Sequence, residues 1–187
     1  MPFIKTDFPG LLIYEPAVFN DSRGYFFESY NARSFAEHGI DIIFIQDNQA
    51  RSTYGVLRGL HYQLAPYAQT KLIRTLEGAI LDVVVDIREG SPAYGKWFSI
   101  VLSAENKKQL LVPKGFAHGY AVLSETAEVF YKCDSFYNKA SEGGIIFNDP
   151  ALNIDWQIDL SKAIVSEKDN LLPVLEKARP NFIYQPD

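Results

Sequence analysis

Ala79-Ile80-Leu81-Asp82-Val83-Val84-Val85-Asp86-Ile87 is the stretch that sets the fold class. Leu81, Val83, Val85 and Ile87 recur at every second position, while Asp82 and Asp86 share the opposite set with Ile80 and Val84. A period of two is the signature of a β-strand, here with one apolar face and one partly polar face.

Strand-like runs of the same kind extend in both directions. Gly24 to Tyr30, Ile42 to Arg51, Lys71 to Leu76, Lys96 to Leu102, Gln109 to Val112 and Glu128 to Asp134 all read as strands. Val56 to Gln63 is strand-like too, though rich in polar groups. Turn sequences such as Glu89-Gly90-Ser91-Pro92 and Ser103-Ala104-Glu105-Asn106 separate several of them. Thirteen Phe and eleven Tyr in short runs suit strands better than long helices. Asn31 to Gly39 reads as a short helix, capped by Asn31 and stopped by Gly39, and a second is expected near Pro173. No composition shift or repeat divides the 187 residues, so positions 1–187 are read as one all-β domain, a jelly-roll β-barrel with a few short helices.

Composition narrows the function classes. A net charge of -5 argues against a general nucleic-acid binder, which needs a basic face, although a small basic pocket is compatible with it. No apolar run approaches the roughly 20 residues that span a bilayer. The single Cys133 permits no internal disulfide, and without a signal-peptide pattern at Met1 the expected location is the cytoplasm.

Three histidines can be weighed one by one. His38, in Ala36-Glu37-His38-Gly39, sits at a helix end where exposure is ordinary, and it reads as idle. His61 lies in Val56-Leu57-Arg58-Gly59-Leu60-His61-Tyr62-Gln63. Strict alternation separates Arg58 and His61 onto opposite faces, but a bulge at Gly59 turns both inward. By itself such a histidine reads equally as a satisfied strand residue and as a base. His118 stands in Pro113-Lys114-Gly115-Phe116-Ala117-His118-Gly119, which resembles the second motif of the cupin superfamily. Metal-binding cupins also carry a histidine pair one residue apart in their first motif. His61-Tyr62-Gln63 offers one imidazole there, so no metal is expected. Arg23, Arg58, Lys71 and Arg74 are charged positions in strand-like sequence, and each alone is explained by solvent or by an anionic ligand.

Blocks spread along the chain then carry a family resemblance. Gln46-Asp47-Asn48, Arg58-Gly59-Leu60-His61-Tyr62-Gln63 and Pro113 to Gly119 resemble the dTDP-4-dehydrorhamnose 3,5-epimerase family. Asp21-Ser22-Arg23-Gly24-Tyr25-Phe26-Phe27-Glu28-Ser29, Val83 to Arg88 and Leu102 to Asn106 continue the likeness in order and spacing.

The resemblance implies a cupin-type jelly roll and a homodimeric enzyme with shared active sites. It implies action without a cofactor on dTDP-4-dehydro-6-deoxy-D-glucose, in dTDP-L-rhamnose biosynthesis. The ketone at carbon 4 acidifies the hydrogens on carbons 3 and 5, so a base, a proton donor and a cation near the oxyanion suffice. By similarity His61 is the base, Asp169 its orienting carboxylate, Tyr131 the proton donor and Lys71 the cation. Gln46, Asp47, Asn48, Arg58 and His118 match substrate-contacting positions, with Arg58 suited to the pyrophosphate. Arg23 and Glu28 match residues that reach the nucleotide from the partner subunit. Tyr137 matches a residue stacking on thymine, and Glu142 and Lys168 match further binding positions. Competing readings are an epimerase acting at one carbon of a related 4-keto nucleotide sugar, a metal-dependent cupin oxygenase, and a nucleotide-sugar binding module without catalysis.

Overall fold

A computed structural model describes residues 2–186. Two antiparallel sheets stack face to face. The first runs in the spatial order β1 (Phe3–Lys5), β2 (Leu12–Tyr14), β10 (Gln109–Val112), β7 (Lys71–Glu77), β12 (Thr126–Cys133) and β5 (Gln46–Thr53). The second runs β13 (Glu142–Gly144), β6 (Val56–Gln63), β11 (Phe116–Val122), β8 (Ala79–Asp86) and β9 (Trp97–Ser103), with β14 (Ile164–Val165) parallel to the start of β6. A small hairpin, β3 (Phe19–Asp21) with β4 (Gly24–Phe26), stands apart. Apart from β1–β2 and β8–β9, neighbours in each sheet are distant in sequence, the crossing pattern of a jelly roll.

The decisive stretch is the centre of the second sheet. Leu81, Val83 and Val85 pack outward against Ile145, Phe147 and Trp156 of the C-terminal segment. Ile80 and Val84 face the first sheet, where they meet Ile73, Leu110 and Val129. Asp82 and Asp86 belong to this inner face and are fully buried, so each needs a partner. Asp86 takes Arg88 and Ser91, and Asp82 takes His118.

On the outer side of the first sheet, α1 (Ala32–Glu37) buries Phe35 against Tyr14, Leu72 and Leu111. Asn31 caps it by accepting from the Arg33 and Ser34 amides, and Gly39 ends it at φ +79°. The expected strand at Gly24 to Tyr30 stops at Phe26, where the hairpin partner ends. That at Ile42 to Arg51 begins only at Gln46, where pairing with Cys133 starts. The expected helix near Pro173 is a single 3₁₀ turn, Leu175–Lys177, with no side-chain cap. A short α2 (Glu167–Asn170), capped by Ser166, was not foreseen.

The bulge expected at Gly59 is present. His118 pairs with His61 but Tyr120 pairs with Arg58, so the register of β6 against β11 slips by one residue between them. Residues 118 and 120 share a face, and Arg58 and His61 therefore share it too. Gly59 stands at φ +121°, and a Cβ there would lie 2.5 Å from the Gly119 Cα. Gly119 is equally constrained, since its Cβ would meet the Arg58 carbonyl oxygen at 2.6 Å.

Gly119→Ala therefore forces β6 and β11 apart, with an overpacking cost of about 1–3 kcal/mol. Thermal denaturation should show a Tm lower by about 2–4 °C for each kcal/mol at this chain length. An unchanged Tm would mean that the two strands are free to separate.

Candidate active site

The bulge aims Arg58 and His61 of β6, with His118 and Tyr120 of β11, between the sheets. Opposite them, alternation on β7 and β12 points Lys71 and Tyr131 to the same interior. Together they line a cleft of about 520 Å³ that also takes in Ser166, Lys168 and Asp169. A second cavity of about 320 Å³, lined by Gln46, Asn48, Tyr137 and Glu142, shares His61, Lys71 and Tyr131 with the first. The three residues thus stand where two chambers join.

Asp169 arrives from far along the chain on the strap formed by β14 and α2. Its Oδ1 accepts from His61 Nε2 at 2.7 Å and its Oδ2 from the Gly59 amide at 3.1 Å. The Ser166 hydroxyl, which caps the helix, accepts from the Asp169 amide at 3.1 Å. Burial pushes the Asp169 carboxyl up, but the His61 hydrogen bond and charge and the Gly59 amide together hold it below the ordinary aspartate value. With Nε2 engaged, Nδ1 is the ring nitrogen of His61 left for a substrate proton.

Tyr131 lies across the cleft, and burial pushes its hydroxyl up to about 12, which keeps it protonated at neutral pH. Lys71 Nζ stands 5.9 Å from the centre of the Tyr131 ring. Burial drives the Lys71 ammonium down, opposed by the Cys133, Asp82 and Glu142 charges around it. Arg58 Nε donates to Ser52 at 3.2 Å. Glu142 joins the Tyr137 hydroxyl, at 3.1 Å, to Lys168 across the mouth of the cleft. Burial raises the Glu142 carboxyl, and these partners outweigh it and hold the group below its usual value. Gln46 accepts from the Tyr137 amide at 2.9 Å and donates to Asn48 at 3.0 Å.

Three of the expected residues are not in these chambers. Asp47 alternates away from Gln46 and Asn48 and pairs with Lys132 at 2.9 Å on the outer face. Arg23 is held in the β3–β4 turn by Asp21, and Glu28 accepts from Asn31, both outside the cleft. Arg74 also faces outward, its guanidinium between Phe27 and Phe130. His38 is exposed, with Nδ1 against the Ser34 carbonyl. Sequence reasoning missed Tyr120, Ser166, Gln63 and Gln69 among the lining residues. Tyr120 was within reach, since it follows His118 by two positions on one strand. Among the described residues, no three His, Cys, Asp or Glu side chains gather as a metal site.

Arg58, Lys71 and Lys168 make the cleft strongly basic within an acidic protein, and a histidine, a tyrosine and a lysine converge at its centre. Such a site holds an anion at one end and moves protons at the other. The profile of the dTDP-4-dehydrorhamnose 3,5-epimerase family matches residues 5–177. The chain belongs to this family. The dTDP-4-dehydrorhamnose 3,5-epimerase of Shigella flexneri is 53% identical over 170 residues, which cover 90% of this chain and 93% of that one. The crystal structure of the epimerase from Elizabethkingia anophelis superposes with a TM-score of 0.90 at 53% identity, covering 93% of this chain and 96% of that one. The Legionella pneumophila dTDP-6-deoxy-D-glucose-3,5-epimerase, in complex with dTDP-4-keto-L-rhamnose, gives a TM-score of 0.92 at 44% identity, covering 98% of each chain. This epimerase-family chain is thus a cupin-type jelly roll over essentially its whole length.

Because the folded Asp169 carboxyl titrates below its ordinary value of 3.8, it contributes stability that is complete above that value and lost as pH falls through the folded one. Asp169→Asn should therefore be less stable than the parent in urea at neutral pH, and the gap should close in acid. A gap independent of pH would contradict the His61–Asp169 pairing.

Proposed function

We propose that the cleft inverts carbons 3 and 5 of dTDP-4-dehydro-6-deoxy-D-glucose by enolate chemistry without a cofactor, giving dTDP-4-dehydro-L-rhamnose for dTDP-L-rhamnose biosynthesis. The observation that carries this reading is the His61–Asp169 pair facing the same space as Tyr131 and Lys71.

His61 Nδ1 takes the proton from the carbon beside the ketone. The electron pair moves into the enolate, and the imidazolium that forms is stabilised by the Asp169 carboxylate. Negative charge collects on the carbon 4 oxygen, where the Lys71 ammonium meets it in a space shielded from water. Tyr131 lies on the far side of the cleft from His61 and returns a proton to the opposite face, which inverts the carbon. A tyrosine held at about 12 keeps its proton until an enolate draws it off, and solvent then restores it.

Binding divides along the two chambers. Arg58 and Lys168 face the pyrophosphate, while Gln46, Asn48 and Tyr137 shape the second chamber, where Tyr137 stacks on thymine. His118 supports the sugar end. Arg23 and Glu28, remote from the cleft of their own chain, complete the nucleotide site of the other protomer in a homodimer.

Proton NMR of the 4-keto sugar nucleotide in heavy water tests the reading. Deuterium should enter at both carbons, His61→Ala should abolish both exchanges, and Tyr131→Phe should chiefly slow inversion at carbon 5. Entry at one carbon would point to a single-site epimerase, and binding without exchange to a non-catalytic module.

The pH profile separates the remaining roles. Lys71 loses its charge first as pH rises, since burial lowers it while Tyr131 is raised. The alkaline fall in kcat should persist in Tyr131→Phe and disappear in Lys71→Met. An alkaline fall retained by Lys71→Met would assign it elsewhere.

A further inference from the structure

Of the two buried carboxylates of the inner face that the proposed mechanism leaves unused, Asp82 and Asp86, Asp82 is the one paired with a residue lining the cleft. It sits on β8 opposite Tyr120 of β11, with no exposure to solvent. Its Oδ1 accepts from His118 Nε2 at 2.5 Å, and His118 is itself only 7% exposed. Among the described residues its Oδ2 has no hydrogen-bond partner. An ionised carboxylate with one free oxygen is costly in such a place unless cations face it. The groups around it are His118 and Tyr120 on β11 and Lys71 on β7, with β9 presenting only Ile100 at the paired position. Lys71 in turn faces Tyr131 and Cys133 on β12 and Glu142 on β13.

We infer that Asp82 is a positioning residue of the reaction: it locks His118 with Nε2–H inward, so that the unprotonated Nδ1 faces the cleft beside Lys71 as an acceptor for a hydroxyl of the bound sugar. This rests on the reaction proposed above. The geometry supports it on two counts. His118 is the cross-strand partner of His61, so a turned His118 ring changes the space in which the base works. The free Oδ2 leaves the Asp82 charge without a second hydrogen bond to draw on it, and that charge acts on Lys71 against the effect of burial.

Asp82→Asn keeps the shape and an acceptor but removes the charge. Its kcat for deuterium entry should fall on the order of 10- to 100-fold with KM within about two-fold, less than the loss of an oxyanion-stabilising group such as Lys71. Loss of the negative charge disfavours the Lys71 ammonium, so the alkaline limb of kcat should move to lower pH. In a His118→Ala background the same substitution should cost far less, since most of its effect runs through the ring. Full activity with an unchanged pH profile, or an equal kcat loss in both backgrounds, overturns the inference. Nitrogen-15 NMR of histidine-labelled parent protein gives a readout free of both activity and the variant's folding. A single Nε2–H state of His118 is expected, and an Nδ1–H tautomer or an averaging ring overturns the assignment. If the parent protein exchanges no deuterium at all, the reaction fails while the NMR still decides whether Asp82 locks the ring.

Discussion

The approach of β6 to β11 at Gly59 and Gly119 governs the rest of the molecule. Two backbones can come this close only where neither carries a Cβ, and the slip in register that results is what brings Arg58 and His61 to one face. Without it, alternation would send one of them into the apolar layer of Ile145, Phe147 and Trp156. The site is therefore made by a backbone contact before any of its side chains interact. The outward packing of Leu81, Val83 and Val85 holds the neighbouring strand in place and resists the separation that the crowded glycines would otherwise relieve.

Charge placement follows from the same frame. A cleft with Arg58, Lys71 and Lys168 inside an acidic protein is a local field, and its position between two low-dielectric sheets strengthens it. Each histidine in it is matched by a buried carboxylate from a different element, His61 by Asp169 and His118 by Asp82. Such pairing orients the rings and compensates the burial of charge, so orientation and electrostatics are fixed together. In the proposed reaction the cation that meets a developing oxyanion is then in place before substrate arrives, which avoids reorganisation.

Much of this was legible in the sequence because it is local. Period-two alternation in β8 announced a strand with one partly polar face, and Gly59 between Arg58 and His61 announced the bulge. The helix bounded by Asn31 and Gly39 carried its own cap and stop. What failed depends on distant partners. Nothing within Ile42 to Ile45 reveals that pairing with β12 begins only at Gln46. The meeting of Asp169 with His61, 108 positions apart, came only from family resemblance, because no pattern in the four-residue α2 points to β6.

That distant contact also shows why the site is economical in structure. The strap carrying Asp169 is tied to the barrel by the two-residue pairing of β14 with β6, by His61 on Oδ1 and by the Gly59 amide on Oδ2, and the cap from Ser166 holds its own turn. Gly59 thus shapes the bulge that turns His61 inward and donates the hydrogen bond that seats the Asp169 carboxylate beside His61. A side chain at position 59 would disturb His61 and its Asp169 partner in one step, through strain at φ +121° and through collision with Gly119. The chemistry of the cleft and the packing of the two strands are consequently a single constraint, and the glycine pair meets it at the point where the backbones are closest.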